Sequence, residues 1–177
     1  MRNKYGSYDN FKIIVDDFET HEFTKSSFDV VYSAATIQWI TEEIAYKKCY
    51  DILKNNGYLI MFRMIDDFKA SNPALYEEIQ KVYDEHFIVR IPYTCKFDYL
   101  NGESYGLKYL GREVFLGSRS YDADSYVEYV QTHADHITIL EEKKDAFLSG
   151  LRDAVKRNRN MITMESKYVV DMYQKKS

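Results

Sequence analysis

"FDVVYSAATIQWITEEIAYKKCYDILKNNGYLIMFR", residues Phe28 to Arg63, reads as strand, helix, strand. Phe28 to Ser33 is apolar on both faces, the pattern of a parallel strand covered on each side. Thr41 can cap a helix, with Glu42 and Glu43 in its first turn, where the helix dipole favours carboxylates. Ala45, Cys49, Ile52 and Leu53 then recur at helical spacing, Asn56-Gly57 reads as the helix stop, and Tyr58 to Arg63 is a second apolar strand. Short joints make this a βαβ unit with a right-handed crossover, its two strands adjacent and parallel in the sheet centre.

Upstream, Phe11 to Val15 reads as a further short strand that runs onto Asp16-Asp17-Phe18-Glu19 without Gly or Pro. Downstream, Asn72-Pro73 reads as cap and first residue of a helix striped by Leu75, Ile79 and Val82. The aromatic run from Arg90 to Gly111 has no clean period, and residues 66–111 read as a helical and aromatic lid inserted over one end of the sheet. Glu113 to Arg119 is expected as a strand, Asp122 to Thr132 and Glu141 to Lys156 as helices, and Met161 to Tyr173 as a long closing strand after the Asn158-Arg159-Asn160 turn. The expected architecture is one α/β domain over residues 1–177, a Rossmann-like sheet with a parallel centre and an antiparallel final strand.

Composition bounds the partners. The 177 residues are 45% hydrophobic and 29% charged, ordinary for a globular chain, and a net charge of −4 offers no basic footprint for nucleic acid. No apolar run approaches the ~18 residues a membrane span needs, and the first residues are too polar for a signal peptide. Cys49 and Cys95 form no CxxC and read as separate reduced thiols, which points to the cytoplasm. Seventeen Tyr and ten Phe suit a ring-lined site with hydroxyl handles, and equally a codon bias.

Chemistry in α/β sheets gathers at the carboxyl ends of the strands. Those ends are Asp16-Asp17-Phe18, Ser33-Ala34-Ala35, Gln38-Trp39 and Arg63. A carboxylate beside a ring and a small-residue turn suits a flat amino-bearing heterocycle; the other reading is a solvated strand end with Phe18 in the core. His133, Asp135 and His136 in "THADH" are base candidates, or else the capping turn of a helix. HxxH alone is too little for zinc, so no metal is expected.

"IIVDDFE", "SFDVVYSAATIQWI" and "DILKNNGYLIMF", in that order and spacing, resemble the second half of the class I S-adenosylmethionine-dependent methyltransferases that act on small molecules. The resemblance implies S-adenosylmethionine as cofactor, with Asp17 and Phe18 at its adenine and Ser33, Ala34 and Ala35 along its methionine side. It implies Gln38 and Trp39 facing the reacting methyl; the strand end at Arg63 is assigned with them to the substrate, and His133 and His136 are the catalytic candidates. The departure is as informative. The family's Gly-rich turn and ribose-binding acid have no counterpart: of seven Gly only Gly6 precedes Phe11, and no GxGxxG occurs. The sequence thus reads as beginning in mid-fold, either as a fragment or as a truncated product. Two functions follow: methyl transfer to a small-molecule acceptor, with cofactor binding weakened, or a non-catalytic self-association module. Strands lost from the sheet would leave an edge for a homodimer to cover.

Overall fold

The helix that follows Thr41 stops earlier than Asn56-Gly57, and the reason lies in the next strand. In this computed structural model, which describes residues 2–94 and 97–177, the helix covers Glu42–Ile52, with the Leu53 N–H closing it on the Cys49 carbonyl. The strand then starts at once and runs Leu53–Asp67. Asn56-Gly57 serves a bulge inside it: Phe28 pairs with Leu53 but Val30 with Tyr58, so the extra residues must loop out. Asn56 takes φ 64, which Asn tolerates, and a Cβ on Gly57 would lie 2.9 Å from the Lys54 carbonyl oxygen.

Among the described residues the strands are β1 (Phe28–Ala34), β2 (Leu53–Asp67), β3 (Leu107–Tyr121) and β4 (Ile162–Lys175). The helices are α1 (Arg2–Tyr5, one turn), α2 (Glu42–Ile52), α3 (Pro73–His86), α4 (Ala123–Gln131) and α5 (Glu141–Arg157). The sheet order is β1-β2-β4-β3; β1 and β2 are parallel, and β4 is antiparallel to both β2 and β3. The α/β architecture, with a parallel pair and an antiparallel final strand, is therefore as expected. Two details differ. β1 lies at the edge and not in the centre, and Phe11 to Val15 forms no strand. A short segment of four apolar residues and Lys12 with no strand beside it has no ladder to join.

Local signals set the helix starts. The Asn72 side chain accepts from Leu75 N at 3.1 Å with Pro73 behind it, and Asp122 accepts from Ser125 N at 2.8 Å. Arg159 and Asn160, both at positive φ, turn the chain from α5 into β4.

β4 shows how the sheet is covered. Ile162, Met164 and Ser166 are buried on one face, whereas Val169, Asp171, Tyr173 and Lys175 are buried on the other. The first face packs on α3, α4 and α5 through Leu75, Ile79, Val127, Val130, Phe147 and Leu151. Gly150 admits Val82 there, since a Cβ would stand 2.9 Å from its Cγ1. The opposite face packs, at the other end of the strands, on Ala45, Tyr46 and Cys49 of α2. Burial raises the Cys49 thiol to about 12, which makes it an inert core residue; Cys95 lies outside the described residues. Residues 66–111 divide between the layers: α3 joins the first core, while Phe97, Tyr99 and Tyr105 pack on Tyr46 and its neighbours in the second.

Each helical layer covers only part of the sheet. Phe28, Val30 and Tyr32 of β1 are exposed, Tyr32 at 71%, as are Tyr58 and Phe62 of β2. The two-sided apolar pattern of β1 predicted cover that these residues do not receive.

Candidate functional site

Ser33 ends β1 in a tight turn. Its Oγ accepts from Ile37 N at 3.0 Å, the Thr36 hydroxyl donates to the Ala34 carbonyl at 2.8 Å, and Ala35 takes φ 51. Small side chains are what such a turn admits, and the start of a one-turn helix over Ile37–Trp39 follows at once. The Ala35 N–H donates to the Phe62 carbonyl at 2.8 Å, tying this turn to β2 where the parallel pairing ends; β2 itself runs on past Arg63, the strand end expected from sequence, to Asp67. A cavity of about 200 Å³ opens there, lined by Ala34, Ala35, Phe62, Arg63, Met64, Tyr168 and Val169. A larger groove of about 520 Å³ lies elsewhere, between residues 20–25 and α2, away from these strand ends.

On the α2 side of the sheet, three of the expected residues meet Tyr93 and Tyr99. The Tyr99 hydroxyl donates to Gln38 Oε1 at 3.0 Å, and the Tyr93 hydroxyl donates to the Gln38 carbonyl. The Trp39 and Tyr93 rings meet edge-on at 4.6 Å. The Arg63 guanidinium lies over Tyr99, its Cζ 3.9 Å from the ring centroid, and Arg63 NH1 stands 3.5 Å from Asp171 Oδ2. Gln38, Trp39 and Arg63 thus sit along one aromatic wall. Burial, first of all, raises the Tyr99 phenol above its ordinary value.

Asp171 beneath them was not singled out from sequence. It is fully buried, accepting from Arg112 Nε at 2.7 Å, from Arg112 NH2 at 3.2 Å and from the Tyr109 hydroxyl at 3.4 Å. The bond to Asp171 is the chief reason the Arg112 pKa is raised. A signal was present: in Val169-Val-Asp-Met-Tyr173 the acid shares the core-facing parity of Val169 and Tyr173, and a buried charge needs a partner.

Asp17 and Phe18 are placed differently. Asp17 Oδ1 accepts from Glu19 N at 2.8 Å, and its carbonyl accepts from His21 N at 2.9 Å. Phe18 packs on Phe23 at 5.7 Å and under the Lys48 ammonium at 5.3 Å. Among the described residues no hydrogen bond, ion pair or ring contact links either one to Ser33, Ala34 or Ala35. His21 bonds Asp16 at 2.7 Å, and that bond is the first cause holding the Asp16 carboxyl below its usual value.

His133, Asp135 and His136 stand across the sheet, in the α3–α5 layer. His136 Nδ1 meets Asp135 Oδ1 at 2.6 Å and Nε2 meets the Tyr83 hydroxyl at 2.8 Å, so both ring nitrogens are engaged within the protein. His133 packs edge-on against Tyr129 at 4.7 Å and His136 at 5.1 Å; burial chiefly, and then His136, lowers its pKa. Ligand atoms of this trio come within 4.8 Å of one another, close enough to hold a metal ion, although His136 would have to release a bond to do so. Tyr129 donates in turn to Asp66, which also takes Arg119 at 3.1 Å and Ser166 at 2.6 Å; burial and the Asp66 bond raise Tyr129 to about 12. The structure does not bring these imidazoles to Gln38, Trp39 and Arg63, because the sheet lies between.

Comparisons with known proteins bear on the fold and the family. Residues 1–61 match the profile of a family described as "Methyltransferase domain". A curated relative, malonyl-[acyl-carrier protein] O-methyltransferase 2 of Ilyobacter polytropus, is 27% identical over an alignment that covers 56% of this chain and 48% of that protein. The chain thus spans about half the length of this relative. A solved candidate methyltransferase of Bacillus halodurans C-125 superposes with a TM-score of 0.50 at 15% identity, covering 92% of this chain and 70% of that one. A candidate type II methyltransferase of Anaeromyxobacter dehalogenans gives 0.56 at 9% identity, with 86% and 66% covered. The two structures establish the fold alone.

Proposed function

We propose, for a chain that belongs to the class I S-adenosylmethionine-dependent methyltransferase family, that it forms the acceptor side of an enzyme transferring a methyl group to a small molecule. The observation that carries this is that Ser33-Ala34-Ala35, Gln38, Trp39 and Arg63 all stand where the parallel pairing of β1 with β2 ends, the end of the pair at which such folds bind ligands. The small-residue turn fits the methionine side of the cofactor: nothing longer than a methyl projects from Ala34 or Ala35 beside the cavity. Asp17 Oδ2 takes no partner among the described residues, which suits a bond from an adenine amine. S-adenosylmethionine, when bound, supplies a methyl group on a sulfonium. This chain's residues then contribute placement, the larger part of such catalysis. Trp39 and Tyr93 wall the acceptor, Gln38 is held in position by Tyr99, and the lid read over 66–111 excludes water through rings such as Tyr93 and Tyr99. His133 and His136 remain catalytic candidates only for an acceptor reached from their own face of the sheet.

Cofactor affinity of the 177 residues is expected to be weak. Hydrogen bonds involving a charged partner are worth roughly 1.5–3 kcal/mol each, so lacking two or three of them costs about 3–9 kcal/mol and carries a micromolar site to the high micromolar range or beyond. The test is methyl-labelled S-adenosylmethionine with a panel of small acceptors, alongside calorimetric titration of the cofactor. Label transfer that Asp17→Ala reduces supports the reading; none, with a folded protein and no cofactor heat, turns it down.

One observation favours the second reading, a self-association module. The outer edge of β1 has no partner strand among the described residues, and Phe28, Val30 and Tyr32 beside it are exposed. Antiparallel pairing of β1 with a second copy about Val31 would set Val30 against Tyr32 and Phe28 against Ala34, with Asp29 opposite Ser33. No like charges meet, so a twofold dimer is the natural cover. The two readings are compatible in one protein, and a cytoplasmic location suits both.

A further inference from the structure

We propose that His133, Asp135 and His136 bind a divalent cation of the zinc class, in a site whose fourth position is open. The proposal stands apart from the methyl-transfer reading, because the sheet separates these residues from Gln38, Trp39 and Arg63. HxxH by itself supplies two ligands, one short of the three that a zinc site with an open position uses. The turn after α4 adds the third. His136 N donates to the His133 carbonyl at 3.1 Å, and this helical turn stands the two imidazoles beside each other, their centroids 5.1 Å apart. Asp135 Oδ1 accepts from His136 N at 3.0 Å, which holds the carboxylate over the same turn. One ligand atom from each of the three then lies within 4.8 Å of the others, and among the described residues no other group of His, Cys, Asp and Glu does this.

The three ligands differ in freedom. His136 is buried among the rings of Tyr83, Phe87 and Phe147, so its imidazole is fixed. The ring nitrogens of His133 make no hydrogen bond among the described residues, and neither is sealed from solvent. The Asp135 side chain is 44% exposed. Neighbouring donors around a tetrahedral zinc stand about 3.3 Å apart. Asp135 Oδ1 and His136 Nδ1, now 2.6 Å apart, need to open by only about 0.7 Å, which rotation of the exposed carboxylate supplies. His136 keeps its single ring proton: with the ion on Nδ1, the proton stands on Nε2 and is donated to the Tyr83 hydroxyl, 2.8 Å away. Such a bond is what orients a metal-bound imidazole. Two imidazoles and one carboxylate favour zinc, cobalt or nickel over magnesium and calcium, which prefer oxygen throughout. Arg119, whose charge reaches His133, is already answered by Asp66 at 3.1 Å.

Co²⁺ and Zn²⁺ alone are the probes, with Mg²⁺ as the control. The full chain, chelator-treated and free of any histidine tag, is titrated with Co²⁺ by its visible ligand-field bands, and Zn²⁺ should displace one equivalent. Zn²⁺ should also move the imidazole signals of nitrogen-labelled His133 and His136 while leaving those of His21 and His86 in place. Mg²⁺ should move none of the four. His133→Gln removes a ligand from a half-exposed position and should weaken Co²⁺ by more than the roughly 10–100-fold that loss of an outer partner costs. Absence of a one-equivalent transition, Co²⁺ affinity unchanged in His133→Gln, or signals that move first at His21 or His86 overturn the proposal. So does a thiolate-to-cobalt charge-transfer band, which would place the ion on Cys49 or Cys95. The comparison of the four imidazoles on the unsubstituted chain stands even if the variant fails to fold.

Discussion

Gly102 lies directly against the ring of Tyr173: a Cβ at that position would stand 2.5 Å from Cε1, and the Gly102 N–H donates to the Tyr173 hydroxyl at 3.4 Å. Tyr173 is fully buried, donates to the Tyr99 carbonyl at 2.8 Å and meets Tyr46 edge-on at 5.9 Å. One glycine thus sets how closely the aromatic segment seats on the sheet. Gly102→Ala should destabilise the protein by about 1–3 kcal/mol, the range for forcing a methyl group into a packed site. Urea unfolding measures it, and a midpoint equal to that of the unsubstituted chain contradicts the packing described.

The asymmetry of the two arginines around Asp171 has its own signature. Asp171→Ala should cost about 3 kcal/mol, since it leaves two half-buried guanidinium groups without their counter-ion. Arg63→Gln should cost no more than about 1 kcal/mol, because Arg112 continues to satisfy the carboxylate. Equal losses from the two variants would mean that Arg63 is part of the structural pair.

His133 gives the stability a pH dependence of known sign. Its folded pKa lies below the ordinary value of 6.5, chiefly through burial and then through the neighbouring His136, with Asp135 and Asp66 pulling the other way and Arg119 adding to the drop. The unfolded chain therefore binds the proton more readily. The contribution is complete above about pH 6.5 and is lost as pH falls from there toward the lower folded value. Denaturant titrations at successive pH values should show stability declining below pH 6.5, with the decline shallower in His133→Gln. An identical profile in the variant counts against it.

The open edge of β1 predicts twofold association. Light scattering at micromolar concentration should give twice the 21.0 kDa chain mass, and Tyr32→Lys should return the monomer. Tyr32 is 71% exposed, so the change should leave the fold intact. A monomer for the unsubstituted chain would remove the dimer from consideration.

The order of strands and helices from Phe28 to the end is a local property, and it was legible. Asn72-Pro73 and Asp122 start their helices because caps act within three residues, and the Asn158-Arg159-Asn160 turn ends on Asn160 at positive φ, which Asn tolerates. The parallel pairing of β1 with β2 followed from a helix between two apolar runs. Gln38, Trp39 and Arg63 were legible as a group because strand ends collect chemistry. What only the tertiary structure decided is which groups share a face. Asp66 and Asp171 lie on adjacent strands, yet the parity of each residue sends one to Tyr129 and the other to Arg112, on opposite sides of the sheet. The same separation parts His133 and His136 from Arg63, and no spacing in the chain records it. Likewise Phe28, Val30 and Tyr32 look like core in the sequence, since an apolar strand reads the same whether or not a layer exists to cover it. Burial is a relation between distant segments, and it becomes definite only when the α2 layer and the α3–α5 layer settle on opposite ends of one sheet.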